Sequence, residues 1–244
     1  MSKIRYNMEG ENMLEEFYQL KDETKVAFIT KIASTNIPSL GITIPKIKTF
    51  VKSHDITYDT LDQIPLNQYI EQDVLYGLFL NKLAKNKDKA YYQHFLAYVK
   101  YLDNWITCDT FVSSTKFKLA EYDQLYQIIS YLLKQEGIMT RCGLVLLKKY
   151  FIKEKPFDEI FKLIKTIQYG LYYVDMGCAW LLATMACFDF EYIYSHLDEI
   201  ASMSFFVYKK TIQKMKESYL ITPFQKDRLK KFVRIAQKDR AAAS

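Results

Sequence analysis

A tryptophan and an aspartate stand four residues apart in the segment LDNWITCDTF, residues 102–111. In a helix, side chains at positions i and i+4 leave the same face, so Trp105 and Asp109 are expected to lie beside each other. A carboxylate next to an indole ring attracts a cationic group, since both the negative charge and the π electrons favour it. An ordinary structural role stays open for each residue, because Trp commonly packs in a core and an early helical Asp caps the helix or pairs with Lys.

One arginine, Arg141, interrupts an apolar segment that runs from Glu136 to Lys148. An arginine among apolar neighbours either extends its charged head to solvent or is paired. Two interpretations are open. The guanidinium forms an ion pair with Asp109 that joins two helices, or it binds a phosphate group through its planar fork of donors.

A third segment, YGLYYVDMGCAWLLATMAC at residues 169–187, brings Tyr173, Gly177 and Trp180 near one helical face. Gly177 adds no bulk there, so a wide aromatic hollow is one prediction. The chain holds 20 Tyr and 16 Phe, however, and aromatic stripes at helical spacing are usually part of a core.

Positive charge is concentrated near the end of the chain. The net charge is +6, and residues 205–240 contain 11 Lys or Arg against three acidic residues. The segment FFVYKKTIQKMKESY presents Lys209, Lys210, Lys214 and Lys216 on its polar side. This asymmetry indicates a polyanion such as nucleic acid, although a lysine-rich face is also commonly just solvated.

The remaining reactive residue types exclude several classes of function. Cys108, Cys142, Cys178 and Cys187 have no CxxC or CxH spacing, so reduced core cysteines are predicted and no metal site is. The three His are isolated, and no GxSxG, Walker or GxGxxG motif occurs. With no leader and no apolar run near 18 residues, the sequence predicts a soluble cytoplasmic protein. No cofactor is expected.

The elements that must position these residues are predicted to be helices almost throughout. Gly and Pro are few, and no strand-like alternation appears. One or two helices are expected within 13–33, one from Lys46 to Lys52 after Pro45, and one turn at 58–63. Further helices are predicted near 67–85, 88–102, 104–117, 121–135, 137–152, 157–168, 171–187, 190–202, 204–219 and 223–238.

Short connections between successive helices favour antiparallel pairs, and hence a curved α-solenoid of HEAT-like pairs. One domain over 1–244 with mobile termini is expected. In a solenoid every second helix lines one face. Helices 104–117, 137–152, 171–187 and 204–219 are therefore expected to converge, and with them the residues described above.

Five segments taken in order resemble the DNA alkylation repair family, the HEAT-like-repeat DNA glycosylases of the AlkD type. They are LGITIPKIKTFVK, DNWITCDTFVSS, MTRCGLVLLKKYF, YYVDMGCAWLL and YKKTIQKMKES, and the resemblance covers about residues 13–235. It implies a concave basic face that holds duplex DNA, and excision of cationic N3- or N7-alkylated purines without flipping the base.

The resemblance also implies roles for particular residues. Trp105, Asp109 and Trp180 match the family's active-site Trp, Asp and Trp, and Arg141 matches its arginine at the DNA backbone. Basic residues of the family recur at the positions of Lys209, Lys210, Lys46 and Lys48, and Tyr173 and Lys214 are expected to join them in binding DNA. A monomer in a bacterial cytoplasm is the expected setting.

The residue types agree with this chemistry. An alkylated purine is already cationic and leaves readily, so no general acid is needed. Its departure leaves an oxocarbenium-like sugar, which Asp109 can stabilise while it positions a water. The segments ITC and STNIPSLGI depart from the family pattern, so a DNA-binding protein for bent or branched DNA that does not cut the bond is the alternative. A protein-interaction scaffold is the third hypothesis.

Overall fold

A computed structural model of the chain describes residues 12–84 and 87–232. Regular structure in these ranges is entirely helical, as predicted. The chain divides into two compact units, Met1–Ala120 and Glu121–Ser244, which are described separately. One domain over the whole chain therefore stays a prediction. The mobile termini and the end of the predicted helix 223–238 lie outside the described residues.

The helix bounds agree closely with the sequence pattern. The first unit contains α1 (12–18), α2 (Glu23–Ala33), α3 (Ile44–Ser53), α4 (Tyr58–Leu61), α5 (Ile70–Leu83), α6 (Lys89–Val99) and α7 (Trp105–Ser114). The second contains α8 (Tyr122–Leu132), α9 (Gly137–Tyr150), α10 (Phe157–Ile164), α11 (Tyr172–Phe188), α12 (Phe190–Ser195), α13 (Leu197–Met203), α14 (Phe205–Glu217) and α15 (Pro223–Arg228). A 3₁₀ turn, Leu119–Glu121, lies where the units join in sequence.

In the first unit, α5 and α6 form an antiparallel pair. The ring of Tyr76 stacks on that of Tyr98, with 5.0 Å between centroids, and further along α5 the hydroxyl of Tyr91 donates to Asn81 Oδ1 at 3.1 Å. Asn81 also donates to the carbonyl of Phe111, at the far end of α7. Since the starts of α5 and α7 also share a cavity, α7 runs parallel to α5.

The second unit repeats this arrangement. α8 and α9 are antiparallel, because the ring of Tyr122 at the start of α8 contacts that of Phe151 just after α9, 5.2 Å between centroids. α11 runs parallel to α14, since the rings of Tyr172 and Phe206 meet at one end and Cys187 and Ser218 at the other. Antiparallel pairs whose alternate helices are parallel neighbours give an all-α, solenoid-like fold.

Two local predictions had different outcomes. Pro45 lies in the first turn of α3, as its missing N–H group predicts. The single helix predicted at 190–202 was wrong, because the chain forms α12 and α13, which are separated at His196. His196 Nδ1 lies 2.7 Å from the carbonyl oxygen of Tyr192, and its ring stacks on that of Tyr192. Within the described ranges, no helix is long and apolar enough to cross a bilayer.

Candidate functional site

A buried asparagine fixes the start of α7. The side-chain oxygen of Asn104 accepts the backbone N–H groups of Ile106 and Thr107 at 3.0 and 3.2 Å, which satisfies two donors that a helix start leaves unpaired. Asn104 is fully buried, so this cap is held by the surrounding core. Trp105 is consequently the first helical residue, and its side chain leaves α7 at a defined position.

Trp105 is held at the surface by one hydrogen bond. Its indole Nε1 donates to the carbonyl oxygen of Ile32, near the end of α2, at 2.8 Å, and the residue is 37% exposed. The ring lines an apolar cavity of about 430 Å³ together with Phe28, Ile44 and Val74. Only Ala33 of α2 is buried, so the bond from Trp105 is one of a small number of contacts that hold this helix.

Asp109 lies one turn after Trp105 on the same helix, as predicted, and is half-buried. A half-buried carboxylate one helical turn from an exposed indole is suited to a cationic ligand, because partial removal of water strengthens the attraction. The neighbouring acid Asp103 has a different role. It accepts a hydrogen bond from Thr35 Oγ1 and so joins the start of α7 to the loop after α2.

Arg141 is buried, with 6% of its surface exposed, and it lies between α9 and α11. Its Nη1 donates to the carbonyl oxygen of Tyr173 at 3.1 Å, so a backbone oxygen is one of its partners. A Cβ atom added to Gly177 would lie 3.4 Å from Arg141 Cγ. An alanine at this position would be in ordinary van der Waals contact with the arginine, so Arg141 packs against α11 here.

Trp180 is half-buried, and a lysine lies on its ring. The ammonium of Lys148, at the end of α9, is 3.3 Å from the ring centroid. Lys148 follows Arg141 by seven residues, and Trp180 follows Tyr173 by the same interval. The two pairs therefore form successive contacts along one seam between parallel helices. Lys148 was not among the predicted site residues, and its spacing from Arg141 is the one sequence signal that could have indicated it.

The predicted DNA-binding lysines lie at or near the surface. Lys46 and Lys48 are exposed on α3, and Lys209, Lys210 and Lys214 are half-buried on α14. Among the residues that the structure describes, none of these five forms an ion pair with an acidic side chain. Their charges are therefore available to an anionic partner.

The basic segment at the end of the chain is less uniform than its composition suggests. Arg228 donates to both carboxylate oxygens of Glu191, with Nη2 2.9 Å from Oε2, and this ion pair joins α15 to α12. Lys230 pairs with Asp227. The basic residues between 233 and 240 lie outside the described part of the chain.

The four cysteines are free thiols, and three of them are buried, as predicted. Burial raises the pKa of the Cys178 thiol to about 12, which leaves it protonated and unreactive at neutral pH. No group of three or more His, Cys, Asp and Glu side chains that could hold a metal ion occurs within residues 12–84 and 87–232.

In each unit the structure brings some of the predicted residues together. Trp105 and Asp109 share one face of α7, while Arg141, Tyr173 and Trp180 share the seam between α9 and α11. No curated protein and no solved structure matches the chain. The sequence model of one family, described as DNA alkylation repair enzyme, matches residues 13–215. This region is most of the chain, and the protein therefore belongs to the DNA alkylation repair enzyme family.

Proposed function

We propose that the protein is a DNA glycosylase that excises cationic N3- or N7-alkylated purines from duplex DNA. The observation that carries this proposal is the pair formed by a half-buried Asp109 and an exposed Trp105, one helical turn apart, in a member of a DNA alkylation repair family. The reaction is hydrolysis of an N-glycosidic bond. It uses no metal and no organic cofactor.

Asp109 acts on the sugar in this proposal. The alkylated purine carries a positive charge and leaves as a neutral base, so the enzyme does not have to protonate it. As the bond breaks, positive charge develops on the sugar, and the carboxylate of Asp109 stabilises it electrostatically. The same carboxylate orients the water that completes the hydrolysis.

Trp105 and Trp180 act on the base. An indole face favours a cation by about 0.5–2 kcal/mol, which selects an alkylated purine over a neutral one. A damaged base can stack on the face of Trp180 that contacts Lys148 only if the ammonium group moves away. In the proposed mechanism the cationic base replaces Lys148 on the ring, and the released ammonium turns to a DNA phosphate.

The phosphate backbone is bound by residues of both units. Lys46 and Lys48 of α3, and Lys209, Lys210 and Lys214 of α14, supply exposed or half-exposed charge. Arg141 adds a buried positive charge, and its hydrogen bond to the carbonyl oxygen of Tyr173 holds the protein chain in place there. Tyr173 is also proposed to bind DNA. Binding through phosphates weakens as salt rises, because counterions released from DNA must be taken up again. The active species is proposed to be a monomer in the cytoplasm.

A base-release experiment tests the proposal. Duplex DNA carrying N7-methylguanine or N3-methyladenine is incubated with the wild type, Asp109→Asn and Asp59→Asn. Asp59 is an exposed carboxylate in the first turn of α4, so its variant controls for the loss of one negative charge in the same unit. Free alkylpurine should appear with the wild type and Asp59→Asn only.

The alternative is a protein that binds bent or branched DNA without excision. Lys148 favours this alternative, since a cation already bound on Trp180 reduces the free energy that a cationic base gains by stacking there. In that case gel-shift affinity survives Asp109→Asn and no base is released by any variant. Phosphate-dependent binding falls steeply between about 50 and 200 mM salt. If DNA binding were negligible and equal at both salt concentrations, the protein-interaction scaffold would be the remaining hypothesis.

A further inference from the structure

The first turns of α11 and α14 expose a cluster of aromatic side chains. Tyr172 is 62% exposed and Phe205 is 41% exposed, in the second unit. The two helices pack side by side, and the ring of Tyr172 contacts that of Phe206 with 6.3 Å between centroids. Scattered exposed aromatics are ordinary, but a contiguous group of them marks a binding surface. We call Tyr172, Tyr173, Phe205 and Phe206 the aromatic platform.

The rings of the platform are supported by neighbouring aromatic side chains. Tyr173 and Phe206 meet Tyr172 at interplanar angles of 63° and 64°, so they fix its orientation by edge contacts. Phe205 stacks on the ring of Tyr208, which is 4% exposed and so anchors it to the core. Rigid rings with exposed faces lose little conformational entropy when a flat ligand stacks on them.

The surroundings of the platform are positive. Lys209 lies over the ring of Phe205 at 4.9 Å and Lys210 over that of Phe206 at 5.8 Å. The first turn of α14 contains no acidic residue. The acidic residue in the first turn of α11, Asp175, is 4% exposed and accepts the backbone N–H of Gly170. A ligand for this surface therefore combines flat aromatic groups with negative charge.

We propose that the aromatic platform binds unpaired nucleobases of single-stranded DNA, with Lys209 and Lys210 at the flanking phosphates. Paired bases within a duplex expose only their edges in the grooves, because their faces are stacked on each other. An unpaired segment offers base faces and phosphates together, and stacking on aromatic side chains is the usual means of binding it. This activity is additional to base excision and does not depend on it.

Two fluorescein-labelled probes test the proposal by fluorescence anisotropy. One is an oligo(dT) of about 12 nucleotides, within the range of single-strand site sizes, and the other has the same phosphates with abasic residues throughout. The wild type should bind oligo(dT) at least about tenfold more tightly than the abasic strand. Tyr172→Leu and Phe205→Leu should each reduce this preference, and the double variant should bind both probes equally.

Two controls keep the result specific. Tyr219→Leu and Phe224→Leu remove aromatic rings that are 100% and 73% exposed in the same unit but lie outside the platform, and they should keep the wild-type preference. Far-ultraviolet circular dichroism verifies that each variant is folded. Equal binding of the two probes by the wild type, or the same loss in Tyr219→Leu as in Tyr172→Leu, would overturn the platform. Absence of base release would instead contradict the proposed glycosylase activity, and it would not affect the comparison of the two single-stranded probes.

Discussion

The ammonium of Lys148 lies 3.3 Å from the centroid of the Trp180 ring, on the seam between α9 and α11. The contact follows from the parallel arrangement of the two helices, since Arg141 contacts Tyr173 seven residues earlier on each helix. A lysine in the last turn of a helix is normally solvated. Here it occupies the surface that the proposed function gives to a cationic base.

Removal of the Lys148 charge should make Trp180 a better receptor for a cation. With Trp105→Phe as background, Trp180 is the one remaining tryptophan. Quenching of its fluorescence by 7-methylguanosine should occur at about 2- to 30-fold lower concentration in Lys148→Met, because no resident cation has to be displaced. Lys153→Met removes a cation that lies over Phe188 on the same seam and should change nothing. An unchanged affinity in Lys148→Met would contradict the competition.

Trp105 should control local opening of α2. This helix buries only Ala33, and the indole N–H of Trp105 is bonded to the Ile32 carbonyl. In Trp105→Phe that bond, worth about 1 kcal/mol, is lost, so amide hydrogen exchange in α2 should become about fivefold faster. Tyr101→Phe removes the hydroxyl group of an exposed tyrosine in the connection before α7 and serves as the control. Acceleration spread equally over α5 would show that Trp105 supports the whole unit instead.

Stability should fall as pH rises from about 4 to about 7, because of Asp73. This residue is fully buried, and burial raises the pKa of Asp73 to about 7, helped by the nearby charges of Asp103 and Glu71 and opposed by the N–H of Asn67. A raised pKa means that the folded state binds the proton more tightly. The stabilisation, up to about 4 kcal/mol, is complete below the unfolded pKa and is lost as pH passes through the folded value.

The variant Asp73→Asn keeps this position neutral and should flatten that dependence. Unfolding free energies from urea titrations at about pH 4.5 and 7.5 measure it, with Asp59→Asn as an exposed control. Equal pH dependence in Asp73→Asn and the wild type would rule out Asp73 as the source.

Gly77 should not tolerate even one added methyl group. A Cβ there would lie 2.8 Å from the hydroxyl oxygen of Tyr98, which is 1% exposed and donates to the Asp73 carbonyl. Overpacking costs about 1–3 kcal/mol, against about 1 kcal/mol gained in helix propensity, so Gly77→Ala should lower the unfolding free energy. Gly177→Ala, whose Cβ meets Arg141 at an ordinary 3.4 Å, should be neutral or stabilising. Equal stability of the two variants would contradict the close contact.

The sequence predicts the helices well and their contacts only in part. Pro45 indicates the start of α3, since the first turn is the part of a helix that tolerates a missing N–H group. Asn104 belongs to the residue types that cap helices, so its place before Trp105 also indicates a helix start, but its complete burial is visible only in the fold. The division at His196 was missed because the apolar pattern continues through it.

Arg141 illustrates what a sequence can and cannot indicate. Its apolar neighbours suggest a partner, and one partner in the structure is the backbone carbonyl of Tyr173, a group that has no sequence signature. Lys148 was missed for a related reason. Whether a lysine is solvated or lies on a ring depends on which helix packs beside it, and that is a property of the fold.

The central claim is that the carboxylate of Asp109 enables hydrolysis of a glycosidic bond. The most direct measurement is the rate at which free N7-methylguanine is released from methylated duplex DNA under single-turnover conditions. We expect release by the wild type and by Asp59→Asn, and a rate at least about 100-fold lower in Asp109→Asn, since preorganised electrostatic groups typically contribute that much. Equal release by the wild type and Asp109→Asn would contradict the claim.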